Sequence, residues 1–246
     1  MPSAQQASAH RPWPLPERPW TLTMDWEELL FLHWAVAPER LAPHLPRGLE
    51  LETFEGRAWV GVVPFRMART RWRWLPPLPG ARDFPELNVR TYVRAGGKSG
   101  VWFFSLDAAS ALAVLGARVS FGLPYYHAKM SCERRGDEIV YASEREDPRG
   151  PPAAFSARWR ALEAPWEACT RPLERFLTER YALFALRGGR LHVGEIAHAP
   201  WRVARAEVAL ERCAMTALLG FELEGPPLSA LAAEPQRVVA WWPTPV

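Results

Sequence analysis

Lysine and asparagine are almost missing from this chain of 246 residues. Of its 30 basic residues only Lys98 and Lys129 are lysine, and Asn88 is its one asparagine. Scarce asparagine together with 25 prolines is typical of heat-adapted proteins, although a GC-rich genome produces the same bias. We therefore expect a thermostable protein. Asn88 and Lys129 lie in one stretch of the chain, where either a chemical need or chance explains their retention.

Cysteine is scarce as well. The three cysteines, Cys132, Cys169 and Cys213, are widely spaced and form no CxxC pair, which excludes a disulfide framework and a cysteine zinc site. No HxH or HExxH pattern indicates another metal, and no GxSxG elbow indicates a serine hydrolase. We expect buried free thiols, no metal and no cofactor.

Long apolar runs are also lacking. No uninterrupted run approaches the roughly 20 residues of a membrane span. The first ten residues have neither the basic start nor the apolar core of a secretory signal. The formal charge of +3 is spread over residues of both signs, which is weak support for nucleic-acid binding. We expect a cytoplasmic protein without membrane or nucleic-acid partners.

What the chain does contain is mainly strand signals. Residues 1–19 are rich in proline and predict an extended arm, and residues 20–246 predict a single domain. Alternating apolar residues and Gly-containing turns predict hairpins at 49–67, 87–106 and 181–196, with further strands at 28–36, 138–143 and 238–242. Helices are predicted at 38–45, 108–115, 172–180 and 210–219. The fold class is thus α+β, mainly β, an antiparallel barrel or sandwich with a few peripheral helices.

The stretch from residue 84 to residue 130 carries most of the polar side chains of interest. Glu86, Asn88 and Arg90 alternate along a strand and so share one face, which is either an interior polar cluster or an ordinary solvated face. Asp107 is predicted to cap the helix at 108–115, and Gly116 to end it.

The segment after that helix, residues 117–129, is predicted to be extended. Its alternation places Tyr125, His127 and Lys129 on one side, with Lys129 about 13 Å beyond Tyr125 along the strand.

Seven blocks in order give the chain a resemblance to a known family. They span about residues 29–201 and include LLFLHWAV, FPELNVRTYV, GVWFFSLDA and ARVSFGLPYYHAKM. In these blocks the chain resembles the uncharacterised DUF2071 family, also called YqjF-like. That family is more distantly similar to the acetoacetate decarboxylase superfamily, and the resemblance implies a closed, cone-like antiparallel β-barrel with an interior pocket.

The resemblance also carries site residues over. Phe84 and Glu86 match an aromatic-x-Glu element of the superfamily, Arg118 matches its arginine, and residues 122–124 match its Gly-x-Pro. The next residue in the superfamily is a lysine that forms a Schiff base, but here it is Tyr125, which cannot form an imine. Lys129, on the same predicted face, is either a displaced imine former or a lysine at the barrel mouth.

Three functions remain open from the sequence. The first is binding of a small carboxylate or keto compound in a pocket lined by Glu86, Asn88, Arg90, Arg118, Tyr125 and His127, with Arg118 holding the anion. The second is a lyase, meaning a decarboxylase, aldolase or dehydratase, with catalytic Lys129, Glu86 and Arg118. The third is assembly into a homo-oligomer through the Trp-rich loop at 70–83, where Trp72 and Trp74 are a lid, a subunit contact or core anchors.

Overall fold

The computed structural model describes residues 10–76 and 78–246, so residues 1–9 of the predicted N-terminal arm lie outside the described residues. Within the described residues three α-helices are present: α1 (Pro38–Leu41), α2 (Ala111–Phe121) and α3 (Pro172–Thr178). Short 3-10 helices are formed by Ala42–His44, Ala168–Thr170 and Ala217–Leu219. None of the described helices has the length and hydropathy needed to cross a bilayer.

The rest of the ordered secondary structure is β, which confirms the predicted class of a mainly β fold with few helices. The strands are β1 (Leu22–Glu27), β2 (Leu29–Val36), β3 (Glu50–Leu51), β4 (Ala58–Trp72), β5 (Phe84–Ala95), β6 (Lys98–Ala108), β7 (Tyr125–Arg135), β8 (Glu138–Arg145), β9 (Ala154–Ala161), β10 (Trp166–Glu167), β11 (Ala182–Arg187), β12 (Arg190–Ala197), β13 (Arg202–Ala214), β14 (Ser229–Ala233), β15 (Gln236–Ala240) and β16 (Thr244–Pro245).

Strands β4, β5 and β6 form a wall that belongs to two closed rings. One ring runs β1, β4, β5, β6, β11, β12, β15 and back to β1, and we call it the cavity ring. The other runs β2, β4, β5, β6, β7, β8, β9, β13, β14 and back to β2, and we call it the core ring. The pairings of β6 with β11 and β7 are parallel and the others antiparallel.

The two faces of this wall differ in chemistry because side chains alternate along β5. Leu87 and Val89 point into the core ring, where they pack against Tyr141, Phe155 and other apolar side chains and are fully buried. Each such side chain contributes about 1.5–3 kcal/mol through burial. Glu86 and the residues in phase with it point the other way, into the cavity ring. The face of β5 that carries Leu87 and Val89 is thus covered by the second ring rather than by a helix.

Several predicted elements are confirmed. The hairpin at 87–106 is β5 and β6, joined at Gly96 and Gly97, whose φ angles of 55° and 75° suit glycine. The hairpin at 181–196 is β11 and β12, and the helix at 172–180 is α3. In the hairpin predicted at 49–67 the turn is present, but β3 pairs with β5 rather than with β4.

The helix predicted at 108–115 is displaced. It runs from Ala111 to Phe121, its N-cap is Ser110, and Gly122 ends it with φ 69°. Asp107 is not the cap because its carboxylate is bound to Arg145. Gly116 lies inside the helix, and residues 117–121 are helical rather than extended. Two small polar residues near a helix start compete for the cap, and a tertiary contact removed one of them.

The prediction of a helix at 210–219 is wrong. Residues up to Ala214 continue β13, which pairs with β9, and only Ala217–Leu219 form a 3-10 turn. The outward carboxylates of β13 bind arginines of β9: Arg160 Nε donates to Glu207 at 2.7 Å and Arg158 Nε donates to Glu211 at 3.3 Å. These cross-strand pairs override the helix propensity of alanine, leucine and glutamate.

Candidate functional site

The cavity ring encloses a cavity of about 370 Å³. Most of its lining is aliphatic or aromatic, contributed by the strands of the ring, by β2 and by α2. This size and composition are typical of a site for a small organic molecule. The hydroxyl, amide, imidazole and charged side chains in the lining are Thr70, Glu86, Asn88, Arg90, Ser120, Tyr125, Thr178, Arg180 and His198.

Three of these side chains lie in one row along β5. Glu86 pairs across to Phe65 of β4, Asn88 to Val63 and Arg90 to Gly61, so each polar residue has a small or apolar neighbour. Successive members are about 7 Å apart along the strand. The row places a carboxyl group, an amide and a guanidinium in order along one cavity wall.

Glu86 forms a buried pair with Tyr125, the first residue of β7. The Tyr125 hydroxyl donates to Glu86 Oε2 at 3.0 Å, and the Tyr141 hydroxyl, reaching from the core ring, donates to the Glu86 carbonyl at 2.7 Å. Burial raises the pKa of the Glu86 carboxyl to about 8, and it raises the pKa of Tyr125 well above its usual value. Both groups are therefore neutral near pH 7.

A neutral carboxyl group has one proton to donate. With Oε2 of Glu86 accepting from Tyr125, a carboxyl proton on Oε1 would be available to a ligand oxygen. Such a pair can hydrogen-bond a carbonyl or hydroxyl oxygen, and it can also pass a proton as a general acid.

Arg90 lies four residues further along β5. Its Nη2 donates to the Leu177 carbonyl at 3.3 Å, while its Nε is buried with no hydrogen-bond partner. Within the described residues it forms no ion pair. Gly61 opposite makes room for it, since a Cβ there would lie 3.2 Å from Arg90 Cγ and from the ring of His33. Arg90 is thus a partly buried cation with unused hydrogen-bonding capacity.

The other titratable groups near Arg90 are neutral or paired. Arg180 donates to Glu52, which also accepts from Arg94, and to the Phe176 carbonyl. Burial lowers the pKa of His33 well below its usual range and that of His198 to about 4. Within the described residues Arg90 is therefore the lining cation that has no carboxylate partner, since Arg180 is bound to Glu52. The electrostatics of the cavity therefore favour an anion.

Asn88 lies between the acid pair and Arg90. Its side chain is 5% exposed, and its Oδ1 is buried without a hydrogen-bond partner in the described structure. A buried amide oxygen without a partner costs free energy that a bound donor would recover.

Three residues predicted for the site lie outside the cavity lining. Arg118 Nη1 donates to the Tyr125 carbonyl at 2.7 Å and so fastens α2 to β7. His127 is half-exposed near Glu146, and Lys129 is exposed beside Glu144 of β8. The assignment of Arg118 as the anion holder, and of His127 and Lys129 to the pocket, is therefore corrected.

The physical reason is the path of β7. It pairs with β6 only from Tyr125 to His127 and then pairs with β8 in the core ring. Alternation along β7 predicts which residues share a face, but that face leaves the cavity after Tyr125. Lys129 consequently lies in a different sheet environment from Tyr125.

The structure adds residues that sequence reasoning missed. Thr178, Arg180 and His198 reach the cavity from segments far along the chain, and nothing in their local sequence indicates this. Helix α2 also lines the cavity, through Ala113, Gly116, Ala117 and Ser120. Their spacing of three and four residues is a signal that was readable as a helix face of small residues. Of the two tryptophans predicted to lie in the loop at 70–83, Trp72 is the last residue of β4 and lines the cavity, and Trp74 is 67% exposed.

Solved structures share this fold. Acetoacetate decarboxylase from Legionella pneumophila matches with a TM-score of 0.64 and 15% identity, over 99% of this chain and 95% of that chain. The enduracididine biosynthesis enzyme MppR, in complex with pyruvate, matches with a TM-score of 0.61 and 12% identity, over 94% of this chain and 91% of that chain. The fold is acetoacetate decarboxylase-like, as the resemblance implied.

The sequence comparison gives the family. Residues 23–236 match the model of DUF2071, an uncharacterised conserved protein. The chain is 42% identical over 230 residues to the uncharacterised protein YqjF of Bacillus subtilis (strain 168), covering 93% of each. The chain belongs to the DUF2071 family.

Proposed function

We propose that this protein binds a small organic acid, a carboxylate or keto compound, inside the cavity ring. The observation that carries the proposal is Arg90, a partly buried guanidinium without a carboxylate partner in a cavity where the other ionisable groups are neutral or paired. A ligand carboxylate would use the hydrogen-bonding capacity that the protein leaves open, and charge-assisted bonds of this kind are strong in such surroundings.

The neighbouring residues suit the rest of such a ligand. The neutral Glu86 and Tyr125 pair offers a proton donor to a carbonyl or hydroxyl oxygen, and Asn88 offers an acceptor to a donor group. MppR, which shares the fold, is described in complex with pyruvate, itself a keto acid. That likeness supports the chemical class proposed for the ligand.

We expect Arg90→Gln to weaken binding of short acids by about tenfold or more, because a hydrogen bond to a charged group contributes about 1.5–3 kcal/mol. Titration calorimetry with butanoate, pyruvate and acetoacetate measures this effect. Lys129→Ala is the matched control, since it removes a cation that lies outside the cavity and should leave affinity unchanged. The proposal fails if the wild-type protein binds none of the three acids, or if Arg90→Gln binds them as well as the wild type.

A second candidate function is a lyase, and the buried Glu86 and Tyr125 pair favours it because it can serve as an acid–base pair. The positions of the two lysines do not support a lyase mechanism that uses a lysine imine. The chain has two lysines, and Lys129 is exposed while Lys98 is bound to Glu195 at 2.9 Å. Neither is part of the cavity lining.

We therefore expect borohydride reduction in the presence of pyruvate or acetoacetate to add no mass at Lys129. Mass spectrometry of the digested protein provides the measurement. Tyr125→Lys is the positive control, because it places an amine inside the cavity beside Glu86, where trapping should occur. An adduct at Lys129 in the wild-type protein would restore the imine mechanism and contradict this assignment.

A further inference from the structure

The cavity is polar at one end and apolar at the other. Along β5 the lining residues run from Arg90 through Asn88 and Glu86 to Phe84, a distance of about 20 Å along the strand. Beyond Glu86 the wall is mainly apolar, with Thr70 and Ser120 as its polar members: Phe84 pairs with Met67, and Trp72 and Leu22 continue the lining. A ligand no larger than a four-carbon acid at Arg90 would leave this apolar end unfilled.

Helix α2 forms the roof of the apolar end. Four of its lining residues, Ala113, Gly116, Ala117 and Ser120, are small, and Leu112 and Phe121 flank them. A Cβ added at Gly116 would meet no atom within 4 Å. The opposite face of the helix carries the exposed Leu115 and Val119. A larger side chain such as leucine would fit at Gly116, so the small residue there leaves the cavity space under α2 unfilled.

The apolar end is also where the cavity opens. Leu75, Leu78 and Leu112 line the cavity and are at the same time 50%, 40% and 59% exposed. Ser110 Oγ donates to the Gly80 carbonyl and joins the start of α2 to the loop that carries Leu75 and Leu78. The opening therefore lies between α2 and this loop, at the far end from Arg90, and its rim is apolar.

From this arrangement we infer that the ligand is an amphipathic acid with an extended apolar tail, its carboxylate at Arg90 and its tail running under α2 towards the opening. This inference rests on the proposed anion site. Asn88 lies in the same wall and is 5% exposed, and its Oδ1 has no hydrogen-bond partner in the described structure. This oxygen marks where a polar substituent near the head group would bind. The hydrophobic lining then contributes to affinity in proportion to tail length.

The test is a homologous series of straight-chain acids from butanoate to dodecanoate, measured by titration calorimetry against the full chain. Each added methylene should tighten binding by about fourfold, the equivalent of about 0.8 kcal/mol, until the tail reaches the opening. Arg90→Gln should weaken every member of the series by a similar factor, because the head group is common to all of them.

A matched pair of variants at Gly116 tests the path of the tail. Gly116→Leu fills the space under α2 and should weaken dodecanoate at least tenfold while changing butanoate less than twofold. Gly116→Ala should leave both unchanged. Both variants replace a helical glycine that has open space beside it, so we expect both to fold and to melt no lower than the wild type.

The outcomes separate this inference from the proposed function. If butanoate binds and longer acids bind no tighter, the extended tail is refuted and the anion site stands. Equal weakening of short and long acids by Gly116→Leu would also overturn it, since the tail would then not pass under α2. If no acid of the series binds, both the anion site and the tail are wrong.

Discussion

Arg145→Met is expected to lower the free energy of unfolding by about 3–5 kcal/mol, because it leaves Asp107 buried and unpaired. Arg145 Nε and Nη2 donate to the two Asp107 oxygens at 2.6 and 2.8 Å, and both side chains are at most 1% exposed. The guanidinium also lies 4.2 Å from the Tyr126 ring centroid. This pair joins β6 to the end of β8 near the point where β7 meets β6.

Urea unfolding measures this effect, and two variants serve as controls. Arg135→Met breaks an exposed pair with Glu133, which should cost less than about 1 kcal/mol. The double change Asp107→Leu/Arg145→Met should recover part of the loss, since it removes both buried charges together. A loss below 1 kcal/mol for Arg145→Met would mean that the charge of Asp107 is solvated or neutralised in some other way.

The second large effect is a pH dependence of stability that comes from Glu86. Its pKa is about 8 in the folded protein because of burial, against an ordinary value of 4.5 for the unfolded chain. Between these two values the folded state binds one proton more than the unfolded state, so stability falls as pH rises. The free energy of unfolding should fall by about 1.4 kcal/mol per pH unit between pH 4.5 and pH 8. Below pH 4.5 Glu86 causes no destabilisation, and above pH 8 the destabilisation no longer grows.

Glu86→Gln should abolish this contribution while keeping an acceptor for the Tyr125 hydroxyl. Urea unfolding of the wild type and the variant at several pH values between 5.5 and 7.5 gives the difference in slope. Taking the difference cancels other shifted groups, such as His33 and His198, whose lowered pKa values make stability rise with pH. Parallel curves would show that Glu86 is ionised in the folded protein, which would remove the neutral donor assigned to the site.

The strand pattern was readable from local sequence wherever turn chemistry and alternation agreed. Gly96 and Gly97 marked the turn between β5 and β6, and the alternation of Glu86, Asn88 and Arg90 correctly placed them on one face. Prediction from local sequence failed where a residue far along the chain bound the side chain in question. Asp107 had the composition of a helix cap, but Arg145, 38 residues later, binds it.

The residues of the candidate site were likewise predicted only in part. Tyr125 and Lys129 share a face along β7, yet Tyr125 alone reaches the cavity, because β7 leaves β6 for β8 after His127. Arg118 was carried over from the resemblance as an anion holder, and the structure uses it to fasten α2. Arg180 was not predicted at all, because its approach to the cavity depends on the pairing of β11 with β6.

By itself the sequence determined the family, the mainly β class and which side chains of β5 lie on a common face. These follow from residue identity and from a side-chain period of two, which act over a few neighbouring residues. Only the tertiary structure decided that this face encloses a cavity while the opposite face packs solidly. It also left Arg90, among the described residues, as a cavity cation with no carboxylate partner. Those outcomes depend on pairings between strands far apart in the chain, and no local pattern contains them.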